Sequence, residues 1–428
     1  MQISTKNLLN LILIISVIVI FFLGFFLNED SAGGGKIDLI EHEWGNLILF
    51  KDTPLIEALT SMSYESSRTP LFLIFHKYNF FIKDIIDLRI TTFIFGILIF
   101  ILYIMCLKKI FKDKENFFII LVSSLILLSP YFRSSVYWAN QEHLSIFFLI
   151  LSLIFLHSSL DNNKNFEDSH KEYYFFSILS SLFAFLSFYT DQKLFFIAAI
   201  VYFTLIYKKP FYFFLTFSFI NFLFFIPAIY LFKLWGNIVP IESQFRLAST
   251  PSNINILISN IGIYFIPFAV FLFLQKNLKS FVINKIELLF LILMAFVFFL
   301  TLPVQPFSEG GGIIFRLFSI IYLKNFLPFG WQIFQMLYLI LNIIFLYLII
   351  IFLRFNLKNI FIILSLVTIY YMTSFTYQSY VDPIFLILIY TLFDLKNINL
   401  WDPKQIYISF IFYSLILTNS LLFRLYII

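Results

Sequence analysis

The chain has 428 residues, of which 61% are hydrophobic and 12% are charged, and 63 of them are phenylalanine. A soluble protein of this size could not bury so much apolar surface, so we expect lipid to surround most side chains. The net charge of +5 does not indicate nucleic-acid binding, because the basic residues lie in short clusters between apolar runs. The one cysteine, Cys106, excludes an intrachain disulfide and a zinc site made of cysteines.

The apolar runs predict an all-α polytopic membrane protein, in which residues 1–428 form one transmembrane domain of about 13 spans (range 11–13). The run 8–27 lacks a small-residue cleavage site, so we interpret it as a span and not as a signal peptide. The predicted spans are 8–27, 89–107, 117–130, 143–160, 173–189, 192–207, 211–232, 255–274, 286–302, 332–353, 358–375, 381–393 and 405–423.

The distribution of lysine and arginine predicts the orientation of these spans. With a cytoplasmic N-terminus, 16 basic residues lie in inner segments and seven lie in the short outer segments. Because positive charge is retained on the cytoplasmic side, we expect the N-terminus inside. The long loops 28–88, 233–254 and 303–331 are then extracytoplasmic.

The first outer loop, 28–88, contains two apolar runs, 37–50 and 70–81, that are too short to cross the bilayer. Each is interrupted by polar residues, which is typical of helices that lie in the membrane interface with the apolar face down. We therefore predict short interfacial helices and a loop that stays on the membrane surface.

Glu29 and Asp30 follow the first predicted span directly, and the glycine run 33–35 follows them. Two acids beside hydrocarbon are energetically costly and add no packing, so the pair is a candidate functional site. The glycines supply a flexible turn after the acids. The alternative is that the acids form a solvated helix end, and the residues alone leave both interpretations open.

Other candidate side chains also lie on the predicted outer face. Glu142 and His143 open the fourth span, where they could bind substrate hydroxyls or a metal, or could be N-terminal polar residues favoured by the helix dipole. Arg133, Arg246 and Arg316 are candidates for phosphate binding, because a guanidinium matches phosphate oxygens. The alternative for each arginine is a snorkelling contact with lipid headgroups.

Several motifs that carry chemistry are absent or unsuitable. Glu41-His42-Glu43 has the composition of a metal site, but neighbouring helical residues point to different faces, so we do not expect them to share one ion. The sequence has no P-loop, dinucleotide fingerprint, serine nucleophile elbow or zinc spacing. Their absence excludes most ATP-driven transport within this chain.

Five segments occur in an order that points to one family. Glu29-Asp30 follows the first span, and Leu88-Arg89 opens the second. The segment 129–143 leads through Ser-Pro and aromatic residues into the fourth span, a short turn lies at 189–193, and 377–383 precedes a late span. This order resembles the GT-C superfamily of integral-membrane glycosyltransferases, in particular bacterial relatives of protein mannosyltransferases and lipid A sugar transferases.

The resemblance implies transfer of a sugar from a polyprenyl-phosphate-linked donor to a glycan, lipid or protein acceptor, at the extracytoplasmic face of a bacterial inner membrane. It implies that Asp30 or Glu29 is the general base or metal-organising carboxylate. Arg133 and Arg316 would hold the donor phosphate, with Arg246 as a further candidate. Glu142 and His143 would complete the pocket. The sequence requires no cofactor, and a divalent metal stays open.

Two alternatives come from other functional classes. An oligosaccharide polymerase or ligase should carry a late outer loop rich in arginine, whereas 303–331 contains Arg316 and Lys324 as its basic residues. A secondary transporter should place charged residues in the middle of spans, and the predicted spans are almost free of them. Both observations favour the glycosyltransferase.

Overall fold

A computed structural model describes residues 5–66, 68–162, 170–207, 209–248, 250–306, 311–371, 373–374, 377–395 and 402–427. Within these ranges the named elements are all helices, and the paired extended residues are Leu247 and Thr373, which form an isolated bridge. The predicted all-α class is confirmed for this part of the chain. Contacts divide the chain into two compact units, Met1–Gln244 with Leu417–Ile428, and Phe245–Ile416.

The helices are numbered in chain order. They are α1 (Thr5–Phe26), α2 (Gly35–Asp38), α3 (Trp44–Asp52), α4 (Leu55–Thr60), α5 (Leu71–Lys77), α6 (Ile85–Ile110), α7 (Asn116–Ser124), α8 (Pro130–Tyr137), α9 (Glu142–Asn162), α10 (His170–Thr190), α11 (Phe195–Ile206), α12 (Phe211–Trp235), α13 (Ser252–Gly262), α14 (Ile266–Leu274), α15 (Lys285–Leu300), α16 (Gly312–Leu323), α17 (Trp331–Leu353), α18 (Leu357–Tyr371), α19 (Ile384–Thr391) and α20 (Pro403–Ile427).

Among the described residues, eight helices are long and apolar enough to cross a membrane. They are Asn7–Phe26, Ile85–Ile110, Glu142–Asp161, Lys171–Thr190, Phe211–Trp235, Ser252–Leu274, Trp331–Leu353 and Pro403–Leu422. A ninth span results if the bent pair Asn116–Leu128 and Pro130–Tyr137 is taken as one. The expected count of about 13 is therefore not confirmed.

The difference arises because hydropathy does not record where the backbone breaks. The predicted spans 286–302, 358–375 and 381–393 correspond to helices of 16, 15 and eight residues. The predicted span 192–207 corresponds to the short helix Gln192–Ile206. An α-helix rises about 1.5 Å per residue, so about 20 residues are needed to cross the hydrocarbon core.

The helix α8 is bent by 71° away from the preceding helical segment Asn116–Leu128. This bend determines where several polar side chains of the first unit lie. The Ser129 side chain accepts a hydrogen bond from the Phe132 N–H at 3.0 Å, and Pro130 occupies the start of α8. Serine at the N-cap and proline in the first turn favour a new helix, because proline lacks the N–H that the preceding helix would need. The bend brings α8 against the end of α1.

The loop predicted to lie outside, 28–88, forms helices over both of its apolar runs. Residues 35–52 are continuously helical through α2, a π-helical turn at Leu39–Glu43 and α3, and α5 lies within the second run. Phe50 and Tyr64 are fully buried, with ring centroids 5.2 Å apart. The helices are as predicted, and their placement in the membrane interface stays a prediction.

The second unit contains buried polar side chains on α13. The Asn255 side-chain amide donates to the Thr301 hydroxyl at 2.8 Å and to the Thr301 carbonyl at 3.0 Å, just after the end of α15. Asn253 donates to the carbonyl of Tyr370 at 3.1 Å, near the end of α18. These amides satisfy carbonyls that helix ends leave without an intrahelical partner. The late loop 303–331 contains α16, and residues 307–310 lie outside the described residues.

Candidate functional site

The first predicted acid, Glu29, pairs with Arg133 of α8. The Arg133 Nε donates to Glu29 Oε1 at 2.7 Å, and a second guanidinium nitrogen contacts the other carboxylate oxygen. The guanidinium also donates to the carbonyls of Ile20, at 3.0 Å, and Leu127, at 3.1 Å. Arg133 is fully buried. The pair is therefore closed, and Arg133 presents no exposed face to a phosphate.

The second predicted acid, Asp30, closes the start of a helix. Its carboxylate accepts hydrogen bonds from the backbone N–H groups of residues 33–36 at 3.2 to 3.3 Å and from the Ser134 hydroxyl at 2.7 Å. The first N–H groups of a helix lack intrahelical acceptors, and a carboxylate there acts as a cap. A Cβ on Gly35 would lie 2.5 Å from the Ser134 oxygen, so only glycine fits at this position.

A second group of acids surrounds Arg68, in the loop between α4 and α5. The Arg68 guanidinium lies 3.4 Å from Glu43 Oε1, and another of its nitrogens pairs with Glu142 Oε1. The other Glu43 oxygen accepts a hydrogen bond from the Gln141 amide at 2.8 Å. Both carboxylates are buried. Two acids thus share one cation, and we call Glu43, Arg68 and Glu142 the Arg68 cluster.

Burial changes the proton affinity of this cluster. Loss of hydration raises the pKa of Glu43 to about 7, against the opposing effects of the Arg68 charge and the Gln141 hydrogen bond. Burial penalises the ionised form of a carboxyl group, which is why the pKa rises. Glu43 therefore exchanges its proton near neutral pH.

Asp38 is a solvent-exposed acid whose charge interacts with the charges of the cluster. Its side chain is exposed, yet surrounding protein atoms remove part of its hydration, which raises its pKa. The charge of Arg68 opposes this rise in pKa, whereas the charges of Glu142 and Asp30 add to it.

The π-helical turn Leu39–Glu43 explains how Asp38 and Glu43 act on one cluster. In a regular α-helix, residues five positions apart point about 140° apart. The wider π turn, which closes hydrogen bonds over five residues, brings such positions nearer to one side. Glu41 is exposed while Glu43 is buried, so the Glu41-His42-Glu43 triplet points in different directions, as predicted.

The neighbouring residues Glu142 and His143 separate at the start of α9. Glu142 faces Arg68, whereas the His143 Nδ1 lies 2.6 Å from the Asn140 carbonyl oxygen. The buried His143 ring packs against Phe72, with centroids 5.7 Å apart. The structure thus brings Glu142 to the acidic cluster and turns His143 into an aromatic environment.

The two remaining predicted residues belong to the second unit. Arg246 is exposed, and its guanidinium carbon lies 5.5 Å from the centroid of the Phe245 ring. Arg316 is half-buried on α16.

Sequence reasoning missed Asp38 and Arg68 and set Glu43 aside. The one available signal was the presence of acids within the apolar run 37–50, since an acid in such a run needs either solvent or a partner. Among the described residues, no three His, Cys, Asp or Glu side chains come together in a metal-ligating group. No family model, curated protein or solved structure matches the chain.

Proposed function

We propose that the protein is an integral-membrane glycosyltransferase that transfers a sugar from a polyprenyl-phosphate-linked donor to an acceptor hydroxyl at the extracytoplasmic face. The observation that carries this proposal is the Arg68 cluster with its solvent-exposed acid, Asp38, in the loop after the first span. Carboxylates whose pKa values are raised by burial and that lie near a specific charge partner are typical of acid–base sites.

Asp38 acts as the general base in this proposal. It removes the proton from the acceptor hydroxyl while the acceptor oxygen bonds to the anomeric carbon of the sugar. The bond between that carbon and the donor phosphate oxygen breaks, and the phosphate leaves with the electron pair. A base is most effective when its pKa lies near the working pH, and loss of hydration moves the pKa of Asp38 in that direction.

The Arg68 cluster supports this chemistry electrostatically. Glu43 and Glu142 carry one more negative charge than Arg68 compensates when both are ionised. Sugar transfer passes through a transition state with positive charge on the anomeric carbon, and nearby carboxylates stabilise such charge. Arg68 fixes both acids in place, so the arrangement exists before substrate binds.

The acids that follow the first span have supporting roles in this proposal. Glu29 neutralises the buried Arg133, and Asp30 caps the helix that carries Asp38. Arg246 and Arg316 stay candidates for phosphate binding. No step requires a metal.

The orientation of the site can be measured independently of activity. Lys83 and Asp113 are both exposed, and the native Cys106 is buried. We expect a membrane-impermeant maleimide to label Lys83→Cys in intact cells and Asp113→Cys only after permeabilisation. The reverse pattern would place the proposed site in the cytoplasm.

Turnover tests the proposal directly. The purified protein in liposomes is given a panel of polyprenyl-phosphate-linked sugars with extracted lipid, glycan and peptide acceptors. We expect release of polyprenyl phosphate together with a glycosylated acceptor. Transbilayer movement of the sugar with the donor bond intact would favour a transporter, and products with a ladder of repeating units would favour a polymerase.

A further inference from the structure

A cleft of about 320 Å³ lies beside the loop helix that carries Asp38. Its polar lining includes Lys36, Arg89 and Trp138, and its apolar lining includes Leu39, Ile40 and Ile85. Lys36 and Asp38 are two residues apart on α2, so one short helix carries both a residue of the cleft and the proposed base.

The two cations of this cleft lie over the indole ring of Trp138. The Arg89 guanidinium carbon lies 4.0 Å from the centroid of the Trp138 ring, and Lys36 Nζ lies 6.0 Å from the same centroid. Arg89 Nε donates to the Tyr137 carbonyl at 2.9 Å, and Trp138 Nε1 donates to the Glu29 carbonyl at 2.7 Å. The hydrogen bonds hold the arginine and the indole in position without using the terminal nitrogens of Arg89.

These cations differ in charge balance from Arg68 and Arg133, the two arginines described above. Arg68 and Arg133 each pair with carboxylates. The ion pairs within the described ranges include neither Lys36 nor Arg89. Two cations at one cleft that form no ion pair with a carboxylate attract an anion, and the guanidinium of an arginine matches phosphate oxygens.

The cleft also has the surroundings that an apolar chain requires. Ile85 begins α6, whose residues form the candidate span Ile85–Ile110, and Leu39 and Ile40 extend the apolar wall. The end of such a span lies at the level of lipid headgroups. A ligand with a phosphate head and a hydrocarbon tail would contact both the cationic and the apolar side of the cleft.

We infer that the cleft between Lys36, Arg89 and Trp138 binds the phosphate of a membrane-soluble isoprenoid phosphate. The identification of that ligand as the donor lipid rests on the proposed function, whereas the phosphate site itself rests on the cleft. In the proposed reaction, Lys36 and Arg89 hold the phosphate that leaves, while Asp38 lies on the acceptor side of the same loop helix.

The experiment measures binding and needs no turnover. Farnesyl phosphate is titrated into the full chain in detergent, and dissociation constants are determined by native mass spectrometry. We expect Lys36→Gln to weaken binding roughly 10- to 100-fold, the effect of losing one charge-assisted hydrogen bond. Lys36 is exposed, so this variant should fold normally. Lys83→Gln, which removes an exposed lysine outside the cleft lining, should bind like the wild type.

Competitors and one catalytic variant complete the test. Farnesol should fail to displace farnesyl phosphate, and a bulk phospholipid such as phosphatidylglycerol should displace it only weakly. Equal displacement by phosphatidylglycerol would reduce the cleft to a headgroup contact, and equal affinity of Lys36→Gln and Lys83→Gln would overturn the site. Asp38→Asn should retain binding. Binding without turnover in the wild type would reject the proposed function and leave the phosphate site standing.

Discussion

Two arginine–glutamate groups in the first unit differ in their charge balance, and one is centred on Arg133 and the other on Arg68. Arg133 meets one carboxylate, Glu29, in a two-pronged contact, and backbone carbonyls take its further hydrogen bonds. Arg68 meets two carboxylates, Glu43 and Glu142, and its charge also acts on the exposed Asp38.

The comparison shows that pairing alone does not distinguish a structural site from a reactive one. A buried ion pair with matched charges holds a particular arrangement of helices, and it offers substrate neither a free charge nor access. A cluster with more acids than bases, connected to solvent, keeps a carboxylate whose proton can be exchanged. Charge balance and access to solvent therefore separate the two groups.

The largest expected effect comes from removing the proposed base. Asp38→Asn keeps the shape of the side chain but loses its charge and its ability to accept a proton. We expect turnover to fall about 100- to 10,000-fold, the usual effect of losing a general base. Asp52→Asn is a matched control, because Asp52 is an exposed aspartate of the same helical stretch. Equal turnover in both variants would remove Asp38 from the mechanism.

Breaking the Glu29–Arg133 ion pair should have the opposite effect, because it should change the stability of the protein and not its turnover. Glu29→Gln leaves the Arg133 charge buried without its counter-ion, which costs about 3–5 kcal/mol for pairs of this kind. We expect a lower free energy of unfolding in detergent and unchanged turnover per folded molecule. If Glu29→Gln lowered turnover without changing the free energy of unfolding, Glu29 and Arg133 would take part in the reaction.

The Arg68 cluster should make stability depend on pH through Glu43. Its pKa is about 7 in the folded protein against an ordinary value of 4.5. The folded state therefore retains a proton that the unfolded chain has released, and stability falls as pH rises from 4.5 to 7 and then levels off. The loss is on the order of 3 kcal/mol.

Glu43→Gln removes the titrating group, so this part of the pH dependence should disappear from the unfolding free energy. Glu57→Gln, which changes an exposed glutamate of α4, should follow the wild-type curve. Parallel curves for the wild type and Glu43→Gln between pH 5 and pH 8 would show that Glu43 is already ionised in the folded protein.

The smallest effect is expected at Asp30. Asparagine keeps one acceptor oxygen but turns an amide NH₂ toward two or more of the groups that donate to Asp30, so Asp30→Asn should lower stability by about 1–2 kcal/mol. Turnover should stay within a few-fold of the wild type, because the carboxylate is occupied by backbone N–H groups and by Ser134. A loss comparable to that of Asp38→Asn would return the catalytic role to the acid pair after the first span.

The helical class was predictable, and the number of spans was not. The amount of apolar side chain decides the solvent, and in lipid the backbone must satisfy its own hydrogen bonds, which favours helices. The count depends on where those helices break. Ser129 and Pro130 turn one apolar run through 71°, and the run 381–393 contains a helix of only eight residues.

The candidate site was predictable in part. Glu142 was a candidate from its position at the start of a span, and the structure places it beside Arg68. Arg133 was a candidate for phosphate binding, and the structure surrounds it with Glu29 and two carbonyls. In each case the residue type predicted a charged interaction, but the sequence did not indicate which residue would be the partner.

What the sequence determined by itself is the solvent of the protein and the helical conformation of its apolar runs, because both follow from composition and from periodicity within a few turns of helix. Only the tertiary structure decided which charges meet. Arg133 lies 104 positions from Glu29, and Arg68 lies 25 and 74 positions from its two acids. Coulomb energy depends on distance in space, and no local pattern specifies a separation of that length along the chain.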